Sequence, residues 1–212
     1  MVAANETHEL DGRTITKPAE PLRDYILVKV AEAKDTTSAG LYLSSGAKEK
    51  PTYGQVISAG PGAYFPNGLK KPMAIEKGDT VLYGKYGGTD VKYDGAKHTF
   101  VTQNDILCKL DKGEYQVESV NPIFDRVLIR CEEAASSTSS GILIGGKKEK
   151  ETVGQVVKVG PGRFMENGEY EPMPVKIGDK VMYGKYAGTE IKFGSKEYVF
   201  VRAAEIYAHW ES

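Results

Sequence analysis

The chain carries one pattern twice. Pro21-Leu22-Arg23-Asp24-Tyr25-Ile26-Leu27-Val28-Lys29 is matched by Pro122-Ile123-Phe124-Asp125-Arg126-Val127-Leu128-Ile129-Arg130, and Gly54-Gln55-Val56-Ile57-Ser58-Ala59-Gly60-Pro61-Gly62 by Gly154-Gln155-Val156-Val157-Lys158-Val159-Gly160-Pro161-Gly162. The register holds through Asn67-Gly68 and Asn167-Gly168, Tyr83-Gly84-Lys85-Tyr86 and Tyr183-Gly184-Lys185-Tyr186, and Phe100-Val101 and Phe200-Val201. One residue is lost between the first block and the second. Whatever fold one copy takes, the other must share, so the problem reduces to two tandem units of about 90 residues, an ordinary size for one small domain. The units run from 21 to 110 and from 122 to 212, and the linker between them, 111–121, is short enough to force them side by side. Residues 1–20 are acidic and polar, have no counterpart before the second unit, and are expected to be a disordered extension.

Within each unit the pattern is that of short strands. Tyr25 to Val30 and Arg126 to Ile129 are rich in β-branched residues, with Ile26, Val28 and Val30 on one face. Gln55–Ala59 and Gln155–Val159 resume the pattern and stop at Gly-Pro-Gly, which breaks helix and ladder alike. Asn67-Gly68 and Asn167-Gly168 are the preferred pair for a type I′ turn, so an exposed hairpin is expected at each. Thr89–Tyr93 and Thr189–Phe193 alternate cleanly and turn at Asp94-Gly95 and Gly194-Ser195, and Ile106, Cys108 and Leu110 alternate in a last strand. No stretch sustains a helical period over three turns. With 24 glycines in 212 residues, the expected class is all-β, with one small closed or nearly closed barrel per unit. A barrel whose first strand (Tyr25–Val30, Arg126–Ile129) and last strand (Asn104–Leu110, Glu205–Ala208) lie at its margins would leave edges that invite pairing.

Two segments do not fit that pattern. Glu133 to Glu151, EAASSTSSGILIGGKKEKE, is polar except for Ile142-Leu143-Ile144 after Gly141; upstream, Leu41-Tyr42-Leu43 follows Gly40 in a similar setting. Segments this polar cannot offset their ordering entropy by burying themselves. A buried three-residue strand is one reading of each triplet; an anchor for a partner's apolar groove is the other. The recurrence of the device favours the anchor.

Chemistry can be searched for and largely set aside. The formal net charge is −1, so no basic field attracts nucleic acid. Each Tyr-Gly-Lys-Tyr string supplies only one Lys, too little for an RNA-stacking platform, and better suits a core or a subunit seam. No run approaches the roughly 18 apolar residues of a membrane helix. Cys108 and Cys131 occupy non-equivalent positions and make neither a metal spacing nor a disulfide framework, which points to a reducing compartment. His8, His98 and His209 are scattered, without repeat partners, and read as surface residues rather than ligands. Gly60-Pro61-Gly62 lacks the third glycine and the helix of a dinucleotide loop and is a turn. Asp24 and Asp125 read as turn caps or ion-pair partners, and Lys48, Lys147 and Lys148 as solvated loop charges.

The Pro-x-x-Asp first strand, the polar loop with its Gly-led apolar triplet, Gly-Gln-Val…Gly-Pro-Gly, Gly-Asp-x-Val and the following Gly-Thr resemble the GroES-like chaperonin-10 co-chaperonins, from Pro21 to Leu110 and again from Pro122 to about Ala208. Two fused copies resemble the tandem form of plastids. The resemblance implies two tandem GroES-like β-barrels and no enzymatic activity or cofactor, ATP being bound by the partner. It implies mobile loops that dock Gly40, Leu41, Tyr42, Leu43, Gly141, Ile142, Leu143 and Ile144 on a chaperonin-60 ring, and roof hairpins at Asn67, Gly68, Asn167 and Gly168. It further implies a homo-oligomeric ring, closed head to tail by last strand on first strand, possible mixing with a single-domain co-chaperonin, and a location in the plastid (chloroplast stroma or equivalent) with the transit peptide absent from this chain. An even number of barrels cannot match a seven-fold chaperonin one loop to one site. Two departures stand out: Tyr25 where the family commonly has Arg, as Arg126 does, and Tyr42 where the second triplet has Leu143. The alternatives are a GroES-like barrel from a zinc alcohol dehydrogenase, whose metal ligands and Rossmann domain this chain lacks, and a small-barrel nucleic-acid or interaction module that binds no chaperonin.

Overall fold

The computed structural model of the chain describes residues 7–31, 52–84, 87–132 and 152–211. Among them the architecture is all-β, with only one-turn 3₁₀ segments between strands. Nine strands come first: β1 (His8–Leu10), β2 (Arg13–Ile15), β3 (Tyr25–Val30), β4 (Thr52–Ala59), β5 (Thr80–Tyr83), β6 (Thr89–Tyr93), β7 (Ala96–Thr102), β8 (Ile106–Leu110) and β9 (Val120–Pro122). Six follow: β10 (Arg126–Cys131), β11 (Val153–Val159), β12 (Lys180–Tyr183), β13 (Thr189–Phe193), β14 (Lys196–Arg202) and β15 (Ile206–Trp210). They form two antiparallel sheets, in the orders β2-β1-β6-β7-β3-β4-β5-β8-β9 and β13-β14-β10-β11-β12-β15.

Three expectations need correction. The pairing does not close either sheet into a barrel; β6 and β8, and likewise β13 and β15, are not paired with each other. Each sheet instead folds over its core through irregularities at matching places, between Leu27 and Val28, Leu82 and Tyr83, Leu128 and Ile129, and Met182 and Tyr183. The first strand of each repeat is not a margin: β3 lies between β7 and β4, and β10 between β14 and β11. The strand that leaves one repeat for the other is β9, three residues of the linker end, which pairs with β8 in the register Cys108↔Pro122, Lys109↔Asn121 and Leu110↔Val120. The junction is thus made by the arm preceding the first strand, because both edges of that strand are already in use. Finally, the expected disordered extension contains a hairpin: β1 and β2 pair, and β1 continues the sheet beyond β6 at Leu10↔Tyr93.

The turns explain several glycines. Asp94 and Gly95 both have positive φ (47° and 76°), as a type I′ pair requires. Asn67-Gly68 does not follow that rule. Gly68 N donates to Phe65 O and Phe65 N to Leu69 O, so Pro66-Asn67-Gly68 is a three-residue connection in which only Gly68 takes positive φ, +83°. Met165 to Glu169 repeats it, with Gly168 at +87°. In both repeats Asn occupies the second central position of an ordinary turn and Gly the left-handed bulge, with Pro66 in one copy and Glu166 in the other at the first central position.

Three cores result. Ile26, Val28, Val56, Val81 and Val101 fill repeat 1, and Val127, Ile129, Val156, Val181 and Val201 fill repeat 2. The third lies between them. Leu82, Leu107, Cys108 and Leu110 of repeat 1 pack on Leu128, Ile191, Phe193, Tyr198 and Phe200 of repeat 2, with Val120 and Tyr115 from the connection. At roughly 1.5–3 kcal/mol per buried aliphatic or aromatic side chain before entropic costs, this seam is a full hydrophobic core rather than a loose domain contact.

Candidate functional site

The two triplets assigned to docking, Gly40-Leu41-Tyr42-Leu43 and Gly141-Ile142-Leu143-Ile144, lie outside the described residues. Their stems do not. The first segment leaves β3 and returns in β4, and the second leaves β10 and returns in β11, so each is gripped by a paired antiparallel ladder. The last rungs are matched: Ala31 N donates to Tyr53 O at 3.1 Å and Glu132 N to Val153 O at 3.4 Å. Gly54 and Gly154, the first residues of Gly-Gln-Val, face Val30 and Cys131 there. A Cβ on Gly54 would sit 2.2 Å from Lys29 O, and one on Gly154 2.5 Å from Arg130 O. The motif therefore keeps two strands in contact at the base of each loop.

The roof turns form a second site. Asn67 Nδ2 donates to Glu166 O at 2.8 Å across the repeats, while its Oδ1 accepts from Leu69 N at 2.9 Å. Asn167 Oδ1 accepts from Glu169 N at 3.1 Å. Phe65 and Phe164 stack with centroids 6.1 Å apart, and Lys71 Nζ lies 4.4 Å over the Phe65 ring. The structure thus brings Asn67, Gly68, Asn167 and Gly168 to one place. Tyr64 and Tyr170 are exposed beside them. Sequence reasoning missed Phe65 and Phe164; the repeat matches Phe164 with Tyr64 but Phe65 with Met165, so only Phe164 had an aromatic counterpart as a signal.

The junction holds a buried cation. Arg126 is almost fully buried; its Nε donates to Ile106 O at 2.8 Å and its Nη2 to Asn104 O at 2.5 Å. Burial first, and then the neighbouring Arg202 charge, bring its pKa down to about 10, still protonated at neutral pH. Arg202 binds Asp125 at 3.1 Å and also donates to Asn104 O at 3.2 Å. Beside them Ile123 enters the core of repeat 1 and is 4% exposed. At the other end of the chain the equivalent positions are Tyr25, Thr102 and Leu22, and Leu22 is 74% exposed.

Among the described residues no group of His, Cys, Asp and Glu could hold a metal ion. Cys108 is buried, and burial pushes its thiol well above the ordinary range, so it is not an activated nucleophile. The histidines are not all surface residues, since His98 is buried against Tyr93 with ring centroids 5.4 Å apart. The tyrosine strings are split: Tyr83 and Tyr183 lie in the cores, Tyr186 is exposed, and Tyr86 is outside the described residues.

The family model for the chaperonin 10 kDa subunit matches residues 18–110 and, again, 119–210. The chain belongs to the chaperonin 10 kDa subunit family. Relatives in that family include the chloroplastic 20 kDa chaperonins of Spinacia oleracea and of Arabidopsis thaliana, each 36% identical over 191 residues, 89% of this chain and 74% of the relative. The co-chaperonin GroES of Lactobacillus acidophilus is 49% identical over 88 residues, 42% of this chain and 94% of its own length. Both family segments include the arm before the first strand, the stems and the roof turn, so the tandem organisation is that of two family units.

Proposed function

We propose that the chain is a co-chaperonin that caps an ATP-dependent chaperonin-60 ring and assists protein folding, docking through Leu41-Tyr42-Leu43 and Ile142-Leu143-Ile144. The double match to the chaperonin 10 kDa subunit family carries this reading. The stems support it, because a pair of equivalent ladders presents a long polar segment with one apolar triplet in each repeat. Burying a triplet is worth several kcal/mol, and ordering a loop costs on the order of 1 kcal/mol per residue, so one loop binds weakly. Affinity comes from several loops engaging one ring together, through effective concentration. The chain performs no catalysis and carries no cofactor; ATP is bound and hydrolysed by the partner. The chloroplastic relatives support a plastid location.

Assembly follows from the corrected junction. In one chain, β9 pairs with β8 and Ile123 fills the repeat 1 core. Among the described residues the equivalent arm, Ala19-Glu20-Pro21 with exposed Leu22, has no such partner, while β15 is paired only with β12 and Ile206 is half-buried where Ile106 is fully buried. The arm and Leu22 of one copy therefore add to β15 and the repeat 2 core of the next, head to tail, until a ring closes. Such a ring has an even number of units, so against a seven-fold chaperonin some loops stay undocked or a single-domain co-chaperonin completes it. Mixing the chain with a chaperonin-60 ring and ATP should give an isolable complex and altered ATP turnover. A chain that neither co-migrates with the ring nor changes turnover would overturn the reading.

A further inference from the structure

We propose that the N-terminal hairpin, β1–β2, is a component of the contact between chains, a seal laid over the head of repeat 1 against which the tail of repeat 2 from a second copy packs. The proposal rests on the head-to-tail assembly above and adds a surface to it. The hairpin is fastened to the edge of β6 by more than its own turn. Asp11 N donates to Lys92 O and Asp94 N to Glu9 O, both at 2.9 Å. Glu9 N donates to Asp94 Oδ1 at 2.8 Å and Lys92 N to Asp11 Oδ1 at 2.7 Å, while His8 Nδ1 meets Asp94 Oδ2 at 2.8 Å. The His8 ring stacks on Tyr93 with centroids 5.7 Å apart, and Ala19 N donates to the Tyr93 hydroxyl at 3.4 Å.

The place it occupies is defined by the other repeat. Tyr93 corresponds to Phe193, and Phe193 lies in the seam between the repeats, where Tyr115 of the linker packs on it at 5.0 Å. Tyr115 in turn meets Tyr53 of repeat 1 at 5.8 Å. The segment preceding repeat 2 is therefore sandwiched between the two repeats. The segment preceding repeat 1 lies on the matching ring, at the free end of the chain. The surface that would pack on it is exposed at the chain's other end. Met182, Tyr207 and Trp210 correspond to Leu82, Leu107 and Leu110, which are buried in the internal seam; Tyr207 is 74% exposed where Leu107 is 2%. A second copy is the occupant because the internal seam already shows these two faces in contact, and because the head lacks the Arg126 and Arg202 clamp and needs another source of area. Large aromatic side chains such as Tyr207 and Trp210 are the kind that dominate such contacts.

The test uses the full chain. Trp210 is the one tryptophan in the sequence and half-exposed at the tail, so its emission reports burial of this surface directly. Self-association is measured by sedimentation alongside Trp210 emission for the unaltered chain, for His8→Ala/Leu10→Ser, for Asp94→Asn and for Leu22→Ser. The expected result is a dissociation constant raised about tenfold in both hairpin variants, a typical loss for contributing interface residues, with Trp210 emission shifted to the red at concentrations where the unaltered chain is blue-shifted. Thermal unfolding of the dilute hairpin variants should be unchanged, since β1 and β2 lie outside all three cores. Association in both hairpin variants as tight as in the unaltered chain, or tighter, with Leu22→Ser still dissociated, overturns the seal and leaves head-to-tail assembly standing. An unaltered chain that stays single at every concentration removes both.

Discussion

The internal junction and the two free ends are built from equivalent positions, and their fates differ. Inside the chain, Arg126 satisfies two backbone carbonyls of repeat 1, Ile123 fills its core, and Leu82, Leu107 and Leu110 are covered by the face of repeat 2. At the ends the same positions are Tyr25, Leu22, Met182, Tyr207 and Trp210, all exposed or half-exposed. The difference shows that duplication alone does not make two identical interfaces. A seam that is always made, because the linker holds its halves together, can accept a buried cation and its desolvation cost. The interface proposed between chains uses aromatic surface that water tolerates in the free chain.

The largest effect should come from removing the internal clamp. Arg126→Ala removes the side-chain donor of Ile106 O, leaves Asn104 O to Arg202 alone and empties a buried site in the seam; a loss of about 3 kcal/mol is expected, and calorimetry should show the melting temperature falling by roughly 10 °C for a chain of this size. An unchanged transition would mean the seam does not depend on Arg126 and would erase the contrast with Tyr25. Next is Ile123→Ala, which opens a cavity in the repeat 1 core and should cost about 2–3 kcal/mol in denaturant unfolding. Leu22→Ala is its counterpart and should leave unfolding of the single chain within about 0.5 kcal/mol of the parent. Equal losses from the two substitutions would show that Leu22 is buried within its own chain.

Smaller and more specific changes sharpen the same comparison. Replacing Ile142 and Ile144 with Ser should weaken capture by a chaperonin-60 ring in a co-sedimentation assay while leaving the melting curve in place. A lost transition would put both side chains in the core. Smallest of all, Tyr25→Arg transplants the internal clamp to the head of the chain. Self-association should tighten several-fold, with single-chain stability unaltered, about 1 kcal/mol of added charge-assisted hydrogen bonding. Weaker association would show that the head and the internal seam do not share a geometry.

Much of this architecture is legible in residues 21–110 and 122–212 because strands with one buried face must alternate and turns must use glycine. Tyr25–Val30 and Thr89–Tyr93 read off directly, and so does the Asp94-Gly95 turn. The arm Val120–Pro122 was hidden, since three residues are too few for a period and their pairing with β8 is a long-range event. His8–Ile15 was hidden for a related reason: the stretch is polar, and its order comes from Tyr93, Asp94 and Lys92, more than seventy positions away. The unequal burial of Leu107 and Tyr207 was beyond a repeat alignment altogether, because it depends on what lies next to each copy. For the docking triplets, the sequence supplied the candidates and the structure supplied only their stems.

Ile123 also sets an order of events. The core of repeat 1 is completed by a side chain synthesised after every strand of that repeat, and β9 must be made before β8 gains its second neighbour. As the chain emerges from the ribosome, repeat 1 therefore exists for a time with an open socket and an unpaired strand, the kind of surface that aggregates or captures the wrong partner. Fusion of the second copy directly behind the first shortens that interval to the few residues between Leu110 and Ile123, giving the nascent chain a plug that arrives in sequence instead of by diffusion.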